Sequence, residues 1–282
     1  MQQQTPIIIN ACLTGMIPTK KLNRYTPISP SEIATSALAC AKLGASIVHI
    51  HPRDTDGKPT WKKEIFADII YRIRSKNKNL IISVTTSGRF WNEFEQRGDV
   101  LDLKKDIKPD MASLTVGSMN FMHDESINSP KMIEQLAAKM MEKGIKPEFE
   151  VFEPGMIHKA NYLLNKQIIK DDHPYFNVFF GSLGTAPFHA SMIAAYCSLL
   201  PNNALWSSAG VGMFQLDANI MGLSLGGHIR TGLEDNLYFD RMKLKRASNE
   251  SLVKRIANVI KEMQLKIATP VETRRMLGLK NT

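Results

Sequence analysis

The chain has 282 residues, 43% of them hydrophobic, and carries a formal net charge of +9 at pH 7. This length is close to the roughly 250 residues of a closed α/β barrel and too short for two full α/β domains, so one domain over residues 1–282 is expected. No apolar run approaches the roughly 20 residues needed to cross a bilayer, and the basic residues are spread out without a nucleic-acid-binding motif, so neither a membrane nor a nucleic acid is an expected partner.

Apolar, β-rich segments alternate with helix-period segments from one end of the chain to the other. In chain order, the predicted strands are 7–13, 46–51, 80–85, 111–116, 147–152, 176–180, 204–209 and 227–231. The predicted helices are 31–43, 63–76, 130–143, 157–165, 187–199, 213–224 and 247–262, with a shorter helix in the polar segment 90–106. Eight strand–helix alternations without long linkers predict a parallel sheet that closes into a (β/α)8, or TIM, barrel. A doubly wound open sheet is the alternative, but no Gly-x-Gly-x-x-Gly motif follows the first strand.

The start of the chain and the cysteines both bear on the compartment. Met1–Pro6 lacks the basic start and apolar stretch of a secretory signal. Cys12, Cys40 and Cys197 cannot pair completely, which suits reduced, buried thiols. The densest basic run, residues 241–246, reads either as a solvated face or as a surface that steers an anionic substrate or phosphorylated cofactor. We therefore expect a soluble cytoplasmic protein.

His49 and His51 end the predicted second strand. Alternate residues of a strand share a face, and the carboxyl ends of barrel strands form the mouth where chemistry takes place. Two converging imidazoles suit a borderline-soft ion such as Zn²⁺, completed by a carboxylate and an open position. Two histidines merely packed on a half-buried strand are the alternative. The pair alone does not name a reaction, because amidohydrolases use the same spacing.

The loop after the eighth strand can reach this histidine pair, since the last strand lies close to the first two in a closed sheet. Glu234 is the expected carboxylate ligand, and Asp235 beside it would be free for proton transfer. Arg230 would point inward, where a substrate carboxylate is its natural bidentate partner. His228 lies lower on the strand and is a second choice as ligand. The alternative is a surface loop whose acidic pair is favoured only by a helix dipole.

Hydroxyl side chains end the third and fourth predicted strands, namely Thr85, Thr86 and Thr115. They could hold carboxylate or carbonyl oxygens, although threonine is common in strands for its β-propensity alone.

The fifth predicted strand carries Glu148 and Glu150 on one face, with Glu150 expected to be the deeper. A buried glutamate needs a partner, which Arg53 or Arg230 could supply. Glu150 is therefore a candidate catalytic residue, and a structural ion pair is equally open.

Together these segments resemble the β-keto acid cleavage enzyme family nearly from end to end. The most specific are His-x-His-x-Arg-Asp at 49–54 and Gly-Gly-His-x-Arg-x-Gly-x-Glu-Asp-Asn at 226–236. The others are 14–15, 27–33, 44–45, 49–57, 113–121 and 150–152. The resemblance implies a zinc-dependent (β/α)8 enzyme that converts a β-keto acid and acetyl-CoA into acetoacetate and a new acyl-CoA, and a homo-oligomer, commonly a tetramer.

The resemblance also implies roles for single residues. It assigns metal ligation to His49, His51 and Glu234, and substrate-carboxylate contacts to Thr85 or Thr86 and to Thr115. Asp235, positioned by Arg230, resembles the base that removes the proton between the two carbonyl groups of the keto acid. The implied route is a Claisen attack on the acetyl thioester, followed by coenzyme A transfer and a retro-Claisen step, with the ion acting as a Lewis acid.

One segment departs from the family pattern. Members that act on an amino-bearing keto acid are similar in having an acidic residue shortly after the first strand's glycine, where this chain has Gly15-Met16-Ile17-Pro18. An apolar Ile17 cannot pair with an ammonium group. We therefore predict that the substrate is not the 5-amino keto acid but one with a different, uncharged side chain.

Two other functions stay open at this point. A metal-dependent hydrolase of the amidohydrolase type would need further ligands, for which the chain offers His158, His173 and His189. A barrel-shaped binding protein without catalysis would hold His49 and His51 only as packed side chains.

Overall fold

Eight parallel strands close into a barrel in the computed structural model, which describes residues 5–280. The barrel strands are β1 (Ile9–Cys12), β2 (Ile47–Ile50), β3 (Ile81–Val84), β4 (Met111–Thr115), β7 (Lys146–Val151), β8 (Tyr175–Phe180), β9 (Leu205–Gly210) and β10 (His228–Thr231). Two short strands, β5 (Met119–Asn120) and β6 (Glu125–Ser126), pair antiparallel outside it. β1 pairs with β2 on one side and with β10 on the other, which closes the sheet. The (β/α)8 barrel predicted from the sequence is confirmed, as a single domain.

The helices follow the strands as predicted, with two differences. They are α1 (Pro30–Lys42), α2 (Lys63–Arg74), α3 (Phe94–Gly98), α4 (Pro130–Lys143), α5 (Pro154–Asn165), α6 (Ala190–Leu199), α7 (Gln215–Ser224), α8 (Asn249–Glu262) and α9 (Pro270–Met276). The segment 90–106 forms only the short α3 and two 3-10 turns, Asp99–Asp102 and Lys105–Ile107. α9 is absent from the predicted helices, because its 7 residues are too few to show a helical period.

Helix ends follow the local chemistry of the sequence. Ser29 accepts a hydrogen bond from the Glu32 backbone N–H, and the Glu32 carboxylate accepts one from Ser29 N–H, which forms a capping box at the start of α1. α4 ends at Gly144, whose φ of +59° is the left-handed conformation that glycine adopts without strain.

Alternation along the strands sorts the inward side chains into layers. The lowest layer is apolar and packs against Leu277 just after α9; it contains Ile8, Ile47, Ile81, Met111 and Tyr175. Two residues further along each of these five segments, and at the same level on β7, the side chain is polar and buried: Asn10, His49, Ser83, Ser113, Asn177 and, on β7, Glu148. Because buried polar groups must be hydrogen-bonded, this layer has to form its own network beneath the mouth of the barrel.

None of the helices among residues 5–280 has both the length and the apolar character needed to cross a membrane. The expectation about the compartment also drew on Met1–Pro6, of which residues 1–4 lie outside the described part of the chain.

Candidate active site

The side chains of His49 and His51 converge at the carboxyl end of β2. Their Nε2 atoms lie 3.1 Å apart, and Nε2 of His51 lies 3.1 Å from Oε1 of Glu234. The second oxygen of Glu234 lies 4.0 Å from Nε2 of His49. Within residues 5–280, these three residues form the one group of histidine, cysteine or acidic side chains whose ligand atoms meet closely enough to hold a metal ion. The predicted convergence of the three side chains is therefore observed.

Glu234 reaches the histidines because the loop after β10 closes tightly onto the end of β1. The backbone N–H of Glu234 donates to the carbonyl of Cys12 at 3.2 Å. Gly232 has a φ of +152°, and a Cβ atom there would lie 2.1 Å from the same carbonyl oxygen. Only glycine permits this approach. Asn249 adds a second tie, since it accepts from Leu233 N–H and donates to the carbonyl of Leu13.

These donors fit a divalent metal ion. Two imidazole nitrogens and one carboxylate are the set found in catalytic zinc sites. Oε2 of Glu234 is buried and has no hydrogen-bond partner within residues 5–280. A cation bound beside it would compensate this buried oxygen. One proton between the two facing Nε2 atoms can serve only one donor–acceptor pair, whereas a cation can accept the lone pairs of both.

Glu148 lies beneath the histidines and holds His49 in place. Its carboxylate accepts hydrogen bonds from Nδ1 of His49 at 2.8 Å and from the side chains of Ser83, Asn10 and Asn177. Burial raises the pKa of Glu148, but His49, Arg230 and the Ser83 hydroxyl together outweigh burial and lower this pKa to about 2. An ionised carboxylate can only accept, so Nδ1 of His49 must donate and its Nε2 lone pair faces the site.

The expectation that Glu150 is the deeper of the two β7 glutamates is wrong. Glu148 is completely buried, whereas Glu150 is 9% exposed and lines the cavity at the mouth. A parallel strand of the barrel runs towards the mouth, so the later residue lies nearer to solvent. Sequence reasoning placed Glu148 and Glu150 on one face of the strand, but it missed that Glu148 is the one that contacts His49.

Arg230 joins the acidic residues of the site. Its Nε lies 3.1 Å from Oδ2 of Asp235, and its Nη2 lies 2.9 Å from Oε1 of Glu234. Burial raises the pKa of Asp235 to about 6, with Arg230 opposing that rise. Nη1 is left without a hydrogen-bond partner within residues 5–280 and lies 3.5 Å from Oε1 of Glu150. Nη1 of Arg230 thus has an ion-pair contact with Glu150 but no hydrogen bond, so it can donate one hydrogen bond to a substrate, whereas the sequence led us to expect a bidentate contact.

Arg53 and His228 do not make the contacts that the sequence analysis considered for them. The Arg53 guanidinium donates to the carbonyls of Gly15 and Pro18 instead of pairing with Glu150. Nδ1 of His228 accepts from the backbone N–H of Ile8 in the lower part of the barrel, so the second-choice ligand does not join the group.

The three threonines differ in what their hydroxyls contact. Thr85 and Thr115 line the cavity, and the Thr115 hydroxyl donates to Glu150 at 2.8 Å. The hydroxyl of Thr86 donates to the carbonyl of Ser113 at 2.6 Å and is therefore turned away from the mouth. Of these two neighbouring threonines Thr85 therefore lines the cavity, and its contact with a substrate carboxylate stays a prediction.

The cavity above these residues has a volume of about 470 Å³ and a largely apolar outer wall. This wall contains Met16, Ile17, Met119, Phe121, Phe152, Phe179, Met213 and Phe214. Arg89 is the cation on the β3 side of this wall. Its Nη2 forms an ion pair with Oδ1 of Asp124 at 2.6 Å, and its guanidinium lies over the ring of Phe121. On this side the wall therefore presents little unpaired charge to a ligand, whereas Lys243 lines the cavity without an ion pair to any residue within 5–280.

Comparison with known proteins identifies the family of this chain. The chain matches the family described as beta-keto acid cleavage enzyme over residues 6–279. It is 36% identical over 279 residues to the 3-keto-5-aminohexanoate cleavage enzyme of Fusobacterium nucleatum subsp. nucleatum, an alignment that covers 97% of this chain and 98% of that protein. It is 36% identical over 277 residues to the 3-oxoadipate:acetyl-CoA acetyltransferase of Cupriavidus necator, covering 97% and 95%.

Among solved structures, the chain is similar to "Apo structure of ObcA", with a TM-score of 0.77 and 19% identity. The match covers 90% of this chain, which spans 66% of the length of that one. At this identity the likeness supports the barrel fold alone.

Proposed function

Because the chain belongs to the β-keto acid cleavage enzyme family, and so is an enzyme that cleaves a carbon–carbon bond, we propose that it converts a β-keto acid and acetyl-CoA into acetoacetate and a new acyl-CoA. The observation that carries this proposal is the position of Asp235. Its carboxylate lines the same cavity as His51 and Glu234, two of the three residues of the metal-binding group, and Arg230 bridges it to Glu234. A base next to a metal-binding group is what proton removal beside a keto group requires.

The chain's own residues would bind and orient the keto acid. The substrate carboxylate would lie between Nη1 of Arg230, which makes no hydrogen bond within residues 5–280, and the hydroxyls of Thr85 and Thr115. Glu150 accepts from Thr115 and lies near Arg230, so we assign it a positioning role for these two groups. A zinc ion held by His49, His51 and Glu234 would supply Lewis-acid chemistry, which makes the proton beside the keto group more acidic.

Asp235 would remove the proton from the carbon between the two carbonyl groups, and Arg230 would hold its carboxylate in position. The carbanion then attacks the acetyl carbonyl of the thioester, and coenzyme A leaves. The coenzyme A sulfur next attacks the original keto carbon of the β-keto acid. The bond between this keto carbon and the carbon that Asp235 deprotonated then breaks. Asp235 returns the proton to the carbon from which it came, and acetoacetate and the new acyl-CoA are released.

The side chain of the keto acid would lie against the apolar outer wall. Ile17 lines this wall and is 43% exposed, so no acidic group at this position is offered to an ammonium ion. On the β3 side of the wall Arg89 is neutralised by Asp124, so it offers little to a second carboxylate there. We therefore propose a keto acid with an apolar side chain, and not the 5-amino keto acid.

A substrate screen tests this function directly. Purified protein is incubated with acetyl-CoA and β-keto acids that carry apolar, acidic or amino side chains, and acetoacetate formation is followed. Apolar keto acids should be turned over fastest, and Ile17→Glu should slow them while the matched control Ile17→Leu does not. Acetoacetate formation from none of them contradicts the proposed reaction, and a preference for the amino substrate contradicts the proposed specificity.

The zinc ion, the homotetramer and the cytoplasmic location stay predictions. The donor set of His49, His51 and Glu234 supports the metal. Light scattering of the purified protein would test the tetramer, and a monomer would contradict it.

A further inference from the structure

A narrow groove of about 240 Å³ leads outward from the active-site cavity to the loop after β10. Glu234, Asp235 and Lys243 line both the groove and the main cavity, whereas Leu237, Tyr238 and Asp240 line the groove alone. Its walls are mostly apolar and contain Ile17, Pro18, Val211, Met213, Leu237 and Tyr238. A ligand whose reacting end lies at Asp235 can therefore extend along this groove to the turn that begins at Asp240 and carries Lys243.

The outer end of the groove is a tight turn over residues 240–246. The two carboxylate oxygens of Asp240 accept the backbone N–H groups of Leu244 and Lys245 at 3.1 and 2.6 Å. Lys243 adopts a φ of +59°, the left-handed conformation that side chains other than glycine rarely take. A backbone hydrogen bond from Phe239 to Lys245 closes the base of the turn. Lys243 is thus presented to the groove by a defined backbone and not by a loose loop.

The turn carries more positive charge than its neighbours neutralise. Of its four cations, Arg241 pairs with Asp217. Lys245 and Arg246 lie over the rings of Phe239 and Tyr238, contacts that leave their charge uncompensated. Lys243 makes no ion pair within residues 5–280.

A second basic segment is attached to the same loop. Asn23 donates to the carbonyls of Leu237 and Ala247, one at each end of the loop. This brings the segment that carries Lys21 and Arg24 beside it. Uncompensated cations at one end of a groove favour a multiply charged anion there.

We propose that the turn 240–246 is the binding site for the phosphate groups of coenzyme A, with Lys243 as the central contact. This inference rests on the proposed function, because acetyl-CoA is its second substrate. The carboxylate of the keto acid is already matched to Arg230 in the inner cavity, so a second anion at the outer end belongs to the other substrate. The groove takes the pantetheine arm and places the thioester beside Asp235.

Calorimetry with coenzyme A and with pantetheine, which lacks the phosphates, tests the site without requiring turnover. Lys243→Glu should raise the Kd for coenzyme A by at least about tenfold, equivalent to about 1.4 kcal/mol. The Kd for pantetheine should not change. The matched control is Lys76→Glu, because Lys76 is exposed just after α2, at the opposite end of the barrel. This control should bind both compounds as the unmodified protein does.

Steady-state kinetics supply the second arm. Lys243→Glu should raise the KM for acetyl-CoA and leave the KM for the keto acid unchanged, and added salt should weaken acetyl-CoA binding less in this variant. Unchanged coenzyme A binding, an equal loss of pantetheine binding, or a raised KM for the keto acid alone overturns the inference.

The two proposals fail in different ways. Coenzyme A binding that depends on Lys243, without acetoacetate formation, keeps the site and rejects the reaction. If acetoacetate is formed but Lys243→Glu does not change the Kd for coenzyme A, the proposed reaction is supported and the proposed phosphate site is contradicted.

Discussion

The carboxylate of Glu148 accepts a hydrogen bond from Nδ1 of His49 at 2.8 Å, and both side chains are completely buried. Such a carboxylate fixes the tautomer and the orientation of a histidine that offers its other nitrogen to a metal. The contact spans 99 positions of sequence, so β2 and β7 must be neighbours across the barrel interior before it can form.

This relationship predicts that Glu148→Gln weakens metal binding without removing a ligand. The expected loss in zinc affinity is about 10- to 100-fold, because the amide no longer holds His49 as an ionised acceptor does. Chelator competition measures it. Ser83→Ala removes a different hydrogen bond to Glu148 and leaves His49 in contact with it, so its loss should be smaller. Equal zinc affinity in Glu148→Gln and the unmodified protein contradicts the positioning role.

His49→Ala should abolish stoichiometric metal binding, because it removes one of only two nitrogen donors in the group. Elemental analysis of the purified variant should find almost no zinc, and added zinc should not restore activity. His228→Asn is the matched control, since His228 is also a buried barrel histidine but lies outside the group. Full metal content in His49→Ala would reject the predicted site.

Asp235→Asn should keep its metal and lose activity. The amide preserves the size of the side chain but cannot accept the substrate proton, and a positioned base contributes about 10²- to 10⁴-fold in rate. Turnover and zinc content are measured on the same sample. Asp172→Asn, an exposed aspartate at the other end of the barrel, should leave turnover unchanged. Turnover near normal in Asp235→Asn would show that another group is the base.

His228 predicts how stability depends on pH. Burial lowers its pKa from 6.5 to about 4, so between these values the unfolded chain binds more protons than the folded one. This contribution to stability is present above pH 6.5 and is lost as the pH falls towards 4, at up to about 1.4 kcal/mol per pH unit.

Urea denaturation across this window measures the effect. His228→Asn can still accept from the Ile8 N–H but does not titrate, so its free energy of unfolding should fall less steeply. Parallel curves for the two proteins would contradict this assignment.

Much of this protein could be predicted from the sequence because strand and helix periods are local properties. Eight apolar strands separated by helix-period segments were enough for the barrel. The alternation of His49 and His51 placed both on one face, and the position of β10 beside β1 brought Glu234 within reach. Strand alternation and barrel closure are rules that hold whatever the side chains are.

Only the tertiary structure shows which polar side chains inside the barrel contact one another. Alternation placed Glu148 and Glu150 on the same face, but only the direction of β7 in the barrel shows which one supports His49 and which one faces the cavity. The ion pairs of Arg230 with Glu234 and Asp235 also depend on distances in the folded barrel, which no spacing in the sequence specifies. A hydrogen bond is directional and short-ranged, so partners distant in sequence are selected only after the barrel has closed.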